Sequence, residues 1–174
     1  MRIFNILLVT GLLISYPVMS KVYTVKSPDN RVMLTVQTGD EISMKVSYDG
    51  KTLITNLKPA LLVGKTELPG LKPGQPKGMP VSITDSLRPV VPHKNKVIAD
   101  KYNGLSLRFK NGCSLVFRVY DDGVAYRFAT SLKGDITVTG EKFGFSLPDG
   151  ATSWYPRETS FMSHNEQKHI LAAL

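Results

Sequence analysis

Cysteine is almost missing from this chain. Cys113 is the only one among 174 residues, so no intramolecular disulfide can form and the fold must be held by its own core. Its setting, Cys113-Ser114-Leu115-Val116-Phe117, predicts a small buried apolar residue. Histidine is scarce too, with only His93, His164 and His169, which narrows the metal chemistry on offer. Lysine and arginine build no contiguous block despite a formal net charge of +8. A nucleic-acid binder would show a basic stripe or a known module, and neither is found, so the charge is read as solubilised sheet surface and nucleic acid is not expected as a partner. There is no Gly-x-Ser-x-Gly elbow, phosphate loop or dinucleotide fingerprint. Nothing in the chain assembles a reaction.

Long hydrophobic runs are also lacking, apart from the start. Arg2 gives a positive leader, residues 3–16 are uncharged and mostly apolar, and Val18-Met19-Ser20 offers a cleavage site. Pro17 and Lys21 end the run short of the roughly 20 apolar residues a spanning helix needs. The expected arrangement is a signal peptide over residues 1–20 and one β domain over 21–174, exported and free of the membrane once mature. A length of 174 residues suits one core.

What is present is a succession of short alternating segments. Val32, Leu34 and Val36 alternate with polar neighbours after the turn-rich Ser27-Pro28-Asp29-Asn30, and Ile42, Met44, Val46 and Tyr48 alternate again. Asp49-Gly50 then suits a tight hairpin, with Lys51 to Leu57 as the returning strand. Leu105, Leu107 and Phe109 precede a second hairpin signal, Asn111-Gly112, and Leu115, Phe117 and Val119 run back. Asp121-Asp122-Gly123 turns the chain into a strand with Val124, Tyr126 and Phe128 on one face, and Ile136 and Val138 mark another. Between Lys58 and Pro92 proline and glycine are dense, which predicts a long connection with room for short edge strands, pinned to a core by Leu61, Leu62, Val63, Val81 and Ile83, the alternative being a disordered linker between two domains. A short helix is predicted from about Glu166 to Leu174. Many short strands with regular turns imply an all-β sandwich or barrel.

Metal-competent side chains gather once, in Ser163-His164-Asn165-Glu166-Gln167-Lys168-His169. The histidines lie five apart, where a zinc protease helix needs four, and the paired cysteines of zinc deaminases are absent. One carboxylate, Glu166, remains as a single ligand to a hard cation such as calcium, which takes roughly six to eight oxygens; a solvated polar segment is the alternative. Asp121-Asp122 reads as a turn and not as a catalytic pair. Trp154 and Tyr155, outside a clear alternation, suit either stacking on a sugar or a core or interface role.

The order of several segments resembles the N-terminal domain of glycoside hydrolase family 97, a group of exported bacterial α-glycosidases that act on α-glucosides or α-galactosides. The matching residues are Ser27-Pro28-Asp29, Val46-Ser47-Tyr48-Asp49-Gly50-Lys51, Tyr102-Asn103-Gly104-Leu105-Ser106-Leu107, Tyr120-Asp121-Asp122-Gly123-Val124-Ala125-Tyr126-Arg127-Phe128 and Trp154-Tyr155-Pro156. The resemblance implies a β-super-sandwich similar to sugar-mutarotase-like folds, packed on a (β/α)₈ barrel whose carbohydrate site it helps to shape, in a bacterial periplasm. It also implies that Glu166 is the domain's calcium ligand. Catalytic carboxylates belong to the barrel, before which this chain stops, so no catalytic residue is assigned and the expectation is a carbohydrate-associated, non-catalytic domain that reads as a truncated product. The alternatives are a partner that completes a separately encoded barrel in trans, or a structural interaction module. An exposed face meant for a barrel predicts self-association.

Overall fold

The computed structural model describes residues 20–91, 94–158, 160–162 and 166–174. The leader expected over residues 1–20 therefore lies, except for Ser20, outside the described residues, as do His93 and His164.

The described chain is all β. Strands β1 (Lys21–Lys26), β2 (Val32–Thr38), β3 (Ser43–Tyr48) and β4 (Lys51–Leu57) form one antiparallel sheet in sequence order. After β5 (Ala60–Val63) and β6 (Thr66–Leu68), β7 (Lys77–Leu87), β8 (Ile98–Arg108), β9 (Cys113–Tyr120) and β10 (Gly123–Thr130) form a second, in the order β10-β9-β8-β7. Alternation makes each sheet two-faced, and the apolar faces meet. Val32, Leu34, Val36, Ile42, Met44 and Leu57 from the first pack against Leu105, Leu107, Phe109, Leu115, Phe117 and Val119 from the second. Every one of these was expected on an inward face except Leu57, expected only as the strand's last residue. Cys113 is buried as predicted.

The turns follow local chemistry. Asp49 and Gly50 both take positive φ, 46° and 78°, which gives the two-residue turn whose twist matches its flanking strands. At Asn111-Gly112 only Gly112 is left-handed, at 80°, and the Phe109 N–H reaches the Cys113 carbonyl at 2.9 Å, so this hairpin closes over a longer loop. Between β9 and β10 no residue has positive φ.

Two smaller sheets complete the chain: β11 (Val138–Lys142) with β5 and β6, and a hairpin of β12 (Thr152–Pro156) with β13 (His169–Ala173). Residues 143–147 lie along the free edge of β4, where Thr55 and Ser146 exchange backbone hydrogen bonds of 2.8 and 2.7 Å.

Two expectations are corrected. The helix expected from Glu166 to Leu174 is instead strand β13, because Ile170 and Leu171 pair with Tyr155 and Trp154 across a ladder that a helix would forgo. The proline-rich connection is not limited to short edge strands: β7 runs for 11 residues along the whole of β8. Pro80 is tolerated there because β7 is an edge and its missing donor would face outward. The pins of the connection also differ, since Ala60 and Leu68 are buried whereas Leu61, Leu62, Val63 and Ile83 are half-buried and Val81 is exposed.

Gly104 on β8 has no room for a side chain, as a Cβ there would sit 2.9 Å from the Phe117 carbonyl oxygen and 2.8 Å from Val81. The backbone oxygen is fixed by its ladder and cannot yield. Gly104→Ala is expected to destabilise the domain by about 1–3 kcal/mol in a urea titration, as overpacking does; Phe117→Ala, which empties the core, is expected to cost about 3–5 kcal/mol. An unchanged midpoint for Gly104→Ala would remove this account of the glycine.

Candidate functional site

The first group of candidate residues lies at one end of the sandwich, where the turn between β1 and β2 meets the β3–β4 and β9–β10 turns. The Asp121 carboxylate accepts the Asp29 backbone N–H at 2.9 Å, and Asp29 in turn accepts from the Ser27 hydroxyl and the Arg31 N–H. Arg31 donates to both Asp49 oxygens, at 2.8 to 3.2 Å, with its guanidinium 4.5 Å from the centre of the Tyr48 ring. Asp29 is held below the usual carboxylate range, first by the Ser27 hydroxyl and then by the Arg31 N–H; Asp49 is held low by its hydrogen bonds from Arg31. Asp121-Asp122 is thus a turn, as its sequence suggested, and the motif residues tie three turns together.

These depressed carboxylates set a direction for acid stability. A group whose folded pKa lies below its ordinary value of 3.8 contributes stability above that value and loses it as pH falls through the folded value. Cys113 acts in the opposite sense: burial pushes its thiol up to about 11, and it stays protonated and inert at neutral pH.

The second group is on the outer face of the second sheet. Because Leu115, Phe117 and Val119 point inward, Val116, Arg118 and Tyr120 point outward, and the register sets Tyr102 and Gly104 of β8 and Ala125 and Arg127 of β10 beside them. The Arg118 guanidinium lies 4.5 Å from the centre of the Tyr102 ring and donates to the Tyr120 hydroxyl at 3.2 Å, and that hydroxyl donates to Asp100 at 3.0 Å. Asp100 and Arg118 approach to 3.8 Å. The Tyr120 contact, more than any charge, raises the Arg118 pKa. A cleft of about 340 Å³ opens here, lined by Val116, Arg118, Tyr120, Ala125, Tyr126 and Arg127. Periodicity could have placed Arg118 and Tyr120 outward, but the cross-strand partners are set by register, which the sequence does not print.

A third region is the groove beside β4 and β5, about 220 Å³, where Glu41 pairs with Lys58 and Glu67 with Lys142. Its charges are already matched. Nearby, the Tyr126 ring stacks on Phe143 at 5.9 Å and 8°, and desolvation followed by a hydrogen bond to Glu141 raises the Tyr126 pKa.

The described residues among those singled out near the C-terminus are not brought into such a cluster. Glu166 is exposed and precedes β13, and His169 is exposed opposite Pro156. No group of three or more His, Cys, Asp or Glu side chains suited to a metal occurs among the described residues. Trp154 is 66% exposed and Tyr155 39%, on opposite faces of the hairpin, so neither ring belongs to the core. Leu171 beside Trp154 and Ile170 beside Tyr155 are exposed as well, which leaves both faces of the hairpin apolar and open.

Asp49→Asn is expected to flatten the fall in thermal midpoint between about pH 5 and about pH 2 relative to the unsubstituted chain. Parallel profiles would show that the Arg31–Asp49 pair adds no acid-sensitive stability.

Comparison with known proteins agrees with this architecture. The family described as Glycosyl-hydrolase 97 N-terminal matches residues 25–173. A retaining alpha-galactosidase of Bacteroides thetaiotaomicron is 27% identical over 136 residues, covering 78% of this chain and 20% of the relative. A probable retaining alpha-galactosidase of Streptomyces bingchenggensis is 31% identical over 138 residues, 73% of this chain and again 20% of the relative. Among solved structures, a glycoside hydrolase family 97 enzyme from Pseudoalteromonas sp. strain K8, in complex with acarbose, superposes with a TM-score of 0.66 at 20% identity, over 76% of this chain and 22% of that one. A beta-arabinopyranosidase does so with a TM-score of 0.69 at 21% identity, over 85% and 26%. The chain spans about a fifth of the length of the curated relatives it matches. With the family match running through nearly all of the sandwich and both small sheets, this chain belongs to the glycoside hydrolase family 97 N-terminal domains.

Proposed function

We propose that this chain is a carbohydrate-associated, non-catalytic β-sandwich that packs on a (β/α)₈ glycosidase barrel, in cis or in trans, and contributes to the barrel's sugar site. The observation that carries this reading is the β12–β13 hairpin. Among the described residues its two strands pair only with each other, and apolar side chains stand exposed on both faces. A lone hairpin is at best marginally stable in water, so a surface of this kind gains most from a partner. The retaining alpha-galactosidase names of the curated relatives support a glycosidase as that partner and an α-galactoside as the sugar.

Calcium fits this reading only as a shared ion. Glu166 offers one exposed carboxylate, and calcium needs roughly six to eight oxygens, so the remaining ligands would come from the partner. When bound, the ion would supply Lewis-acid charge beside the sugar. Glu166 itself would hold one position of its shell, and Trp154 or Tyr155 would offer an aromatic face to a sugar ring.

Export to a bacterial periplasm is part of this proposal, supported by the leader-like composition of residues 1–20, with Lys21 as the first mature residue. The chain collected from the periplasm of an expressing bacterium is expected to begin at Lys21. On nitrophenyl α-galactoside and α-glucoside it should show no turnover alone, and turnover should appear on mixing with a separately expressed family barrel in calcium. In that mixture Glu166→Gln should raise the calcium concentration needed. Turnover by the chain alone would overturn the proposal, and failure of the barrel to bind or gain activity would favour a sugar-independent interaction module instead.

A further inference from the structure

On the outer face of the second sheet Arg127 stands on β10, Arg118 on β9 and Asp100 on β8, with Asp85 opposite Asp100 on β7 and the cations Arg108 and Lys77 paired toward the other end of the same two strands. Asp100 offsets Arg118, directly and through the Tyr120 hydroxyl. The Arg127 side chain makes no hydrogen bond or ion pair among the described residues. Arg118 is opposite Ala125 and Arg127 opposite Val116, so the two arginines are diagonal neighbours on one face, at a separation typical of about 7–8 Å between backbones. Like charges so placed repel, and nothing in the core requires them.

The same two side chains line the 340 Å³ cleft, a volume within the range of about 300–1,000 Å³ for small-molecule sites. Ala125 keeps its floor low between them. Arg118 is held in position by the Tyr102 ring beneath it and by Tyr120 and Asp100 at its side, which lowers the ordering cost of using its remaining donors. Arg127 is exposed and can swing toward the cleft.

We propose that this cleft binds an oxyanion borne by a small molecule, gripped between the fixed guanidinium of Arg118 and the free one of Arg127. Planar guanidinium donors match carboxylate, sulfate and phosphate groups in a bidentate manner, and an anion between the two would relieve their repulsion. The site is separate from the β12–β13 hairpin and from Glu166, and it does not depend on the glycosidase reading.

The test is calorimetric titration of the full chain at low ionic strength with sodium galacturonate, inorganic phosphate, inorganic sulfate and neutral galactose. Saturable binding of at least one anion, with galactose inert, is expected. Preference for galacturonate would identify an acidic sugar as the source, and preference for phosphate or sulfate would identify a phosphoryl or sulfuryl group. Arg127→Ala should weaken the anion by at least about tenfold without lowering the thermal midpoint, because its side chain supports no packing. Arg118→Lys should weaken it as well by losing the planar fork. Absence of saturable anion binding, equal binding of galactose, or affinity unchanged in Arg127→Ala would each overturn the proposal.

Discussion

The structure rests on the closure of two apolar sheet faces over one another. Leu34 and Val36 on one side and Leu107, Leu115, Phe117 and Val119 on the other are almost fully buried, and they come from the middle strands of their sheets. With no disulfide available, this burial must outweigh the chain's conformational entropy by itself. The remaining constraints follow from keeping the sheets in register. The aspartate-rich turns are tied at one end, Asn103 donates to the Lys26 carbonyl at 2.8 Å, and Tyr23 donates to the Pro76 carbonyl at 2.7 Å.

Functional chemistry is then confined to what the core does not use. Residues pointing away from it form the Arg118 cleft, and the segments beyond β10 form edges and a hairpin. That partition suits a family whose N-terminal domain is one part of a longer enzyme, since each outward face can meet sugar, ion or protein without disturbing the packing. In the motif Tyr120-Asp121-Asp122-Gly123 the Asp121 carboxylate serves the fold, because it accepts the Asp29 backbone N–H.

Legibility in the sequence tracked how local the determinant was. The core strands were readable because a period of two is written in consecutive residues, and Asp49-Gly50 because its positive φ values are a property of that dipeptide. β7 was obscured by Pro69, Pro73, Pro76 and Pro80, since nothing local says that an outer strand can accept a proline at its open edge. The last strand was misread as a helix because Ile170-Leu171-Ala172-Ala173 favours one, and its ladder with β12 is a tertiary fact. The Arg118–Tyr120–Asp100 network was invisible for the same reason: Asp100 and Tyr120 stand 20 residues apart and meet only through the register of β8 on β9.

The measurement closest to the central claim is backbone amide hydrogen exchange across the full chain. If the two-sheet core alone carries the stability and the hairpin awaits a partner, β2, β8 and β9 should exchange only by global opening, while β12 and β13 exchange orders of magnitude faster. Protection in β12 and β13 equal to that in β9 would contradict it, because the hairpin would then be an integral part of the isolated fold.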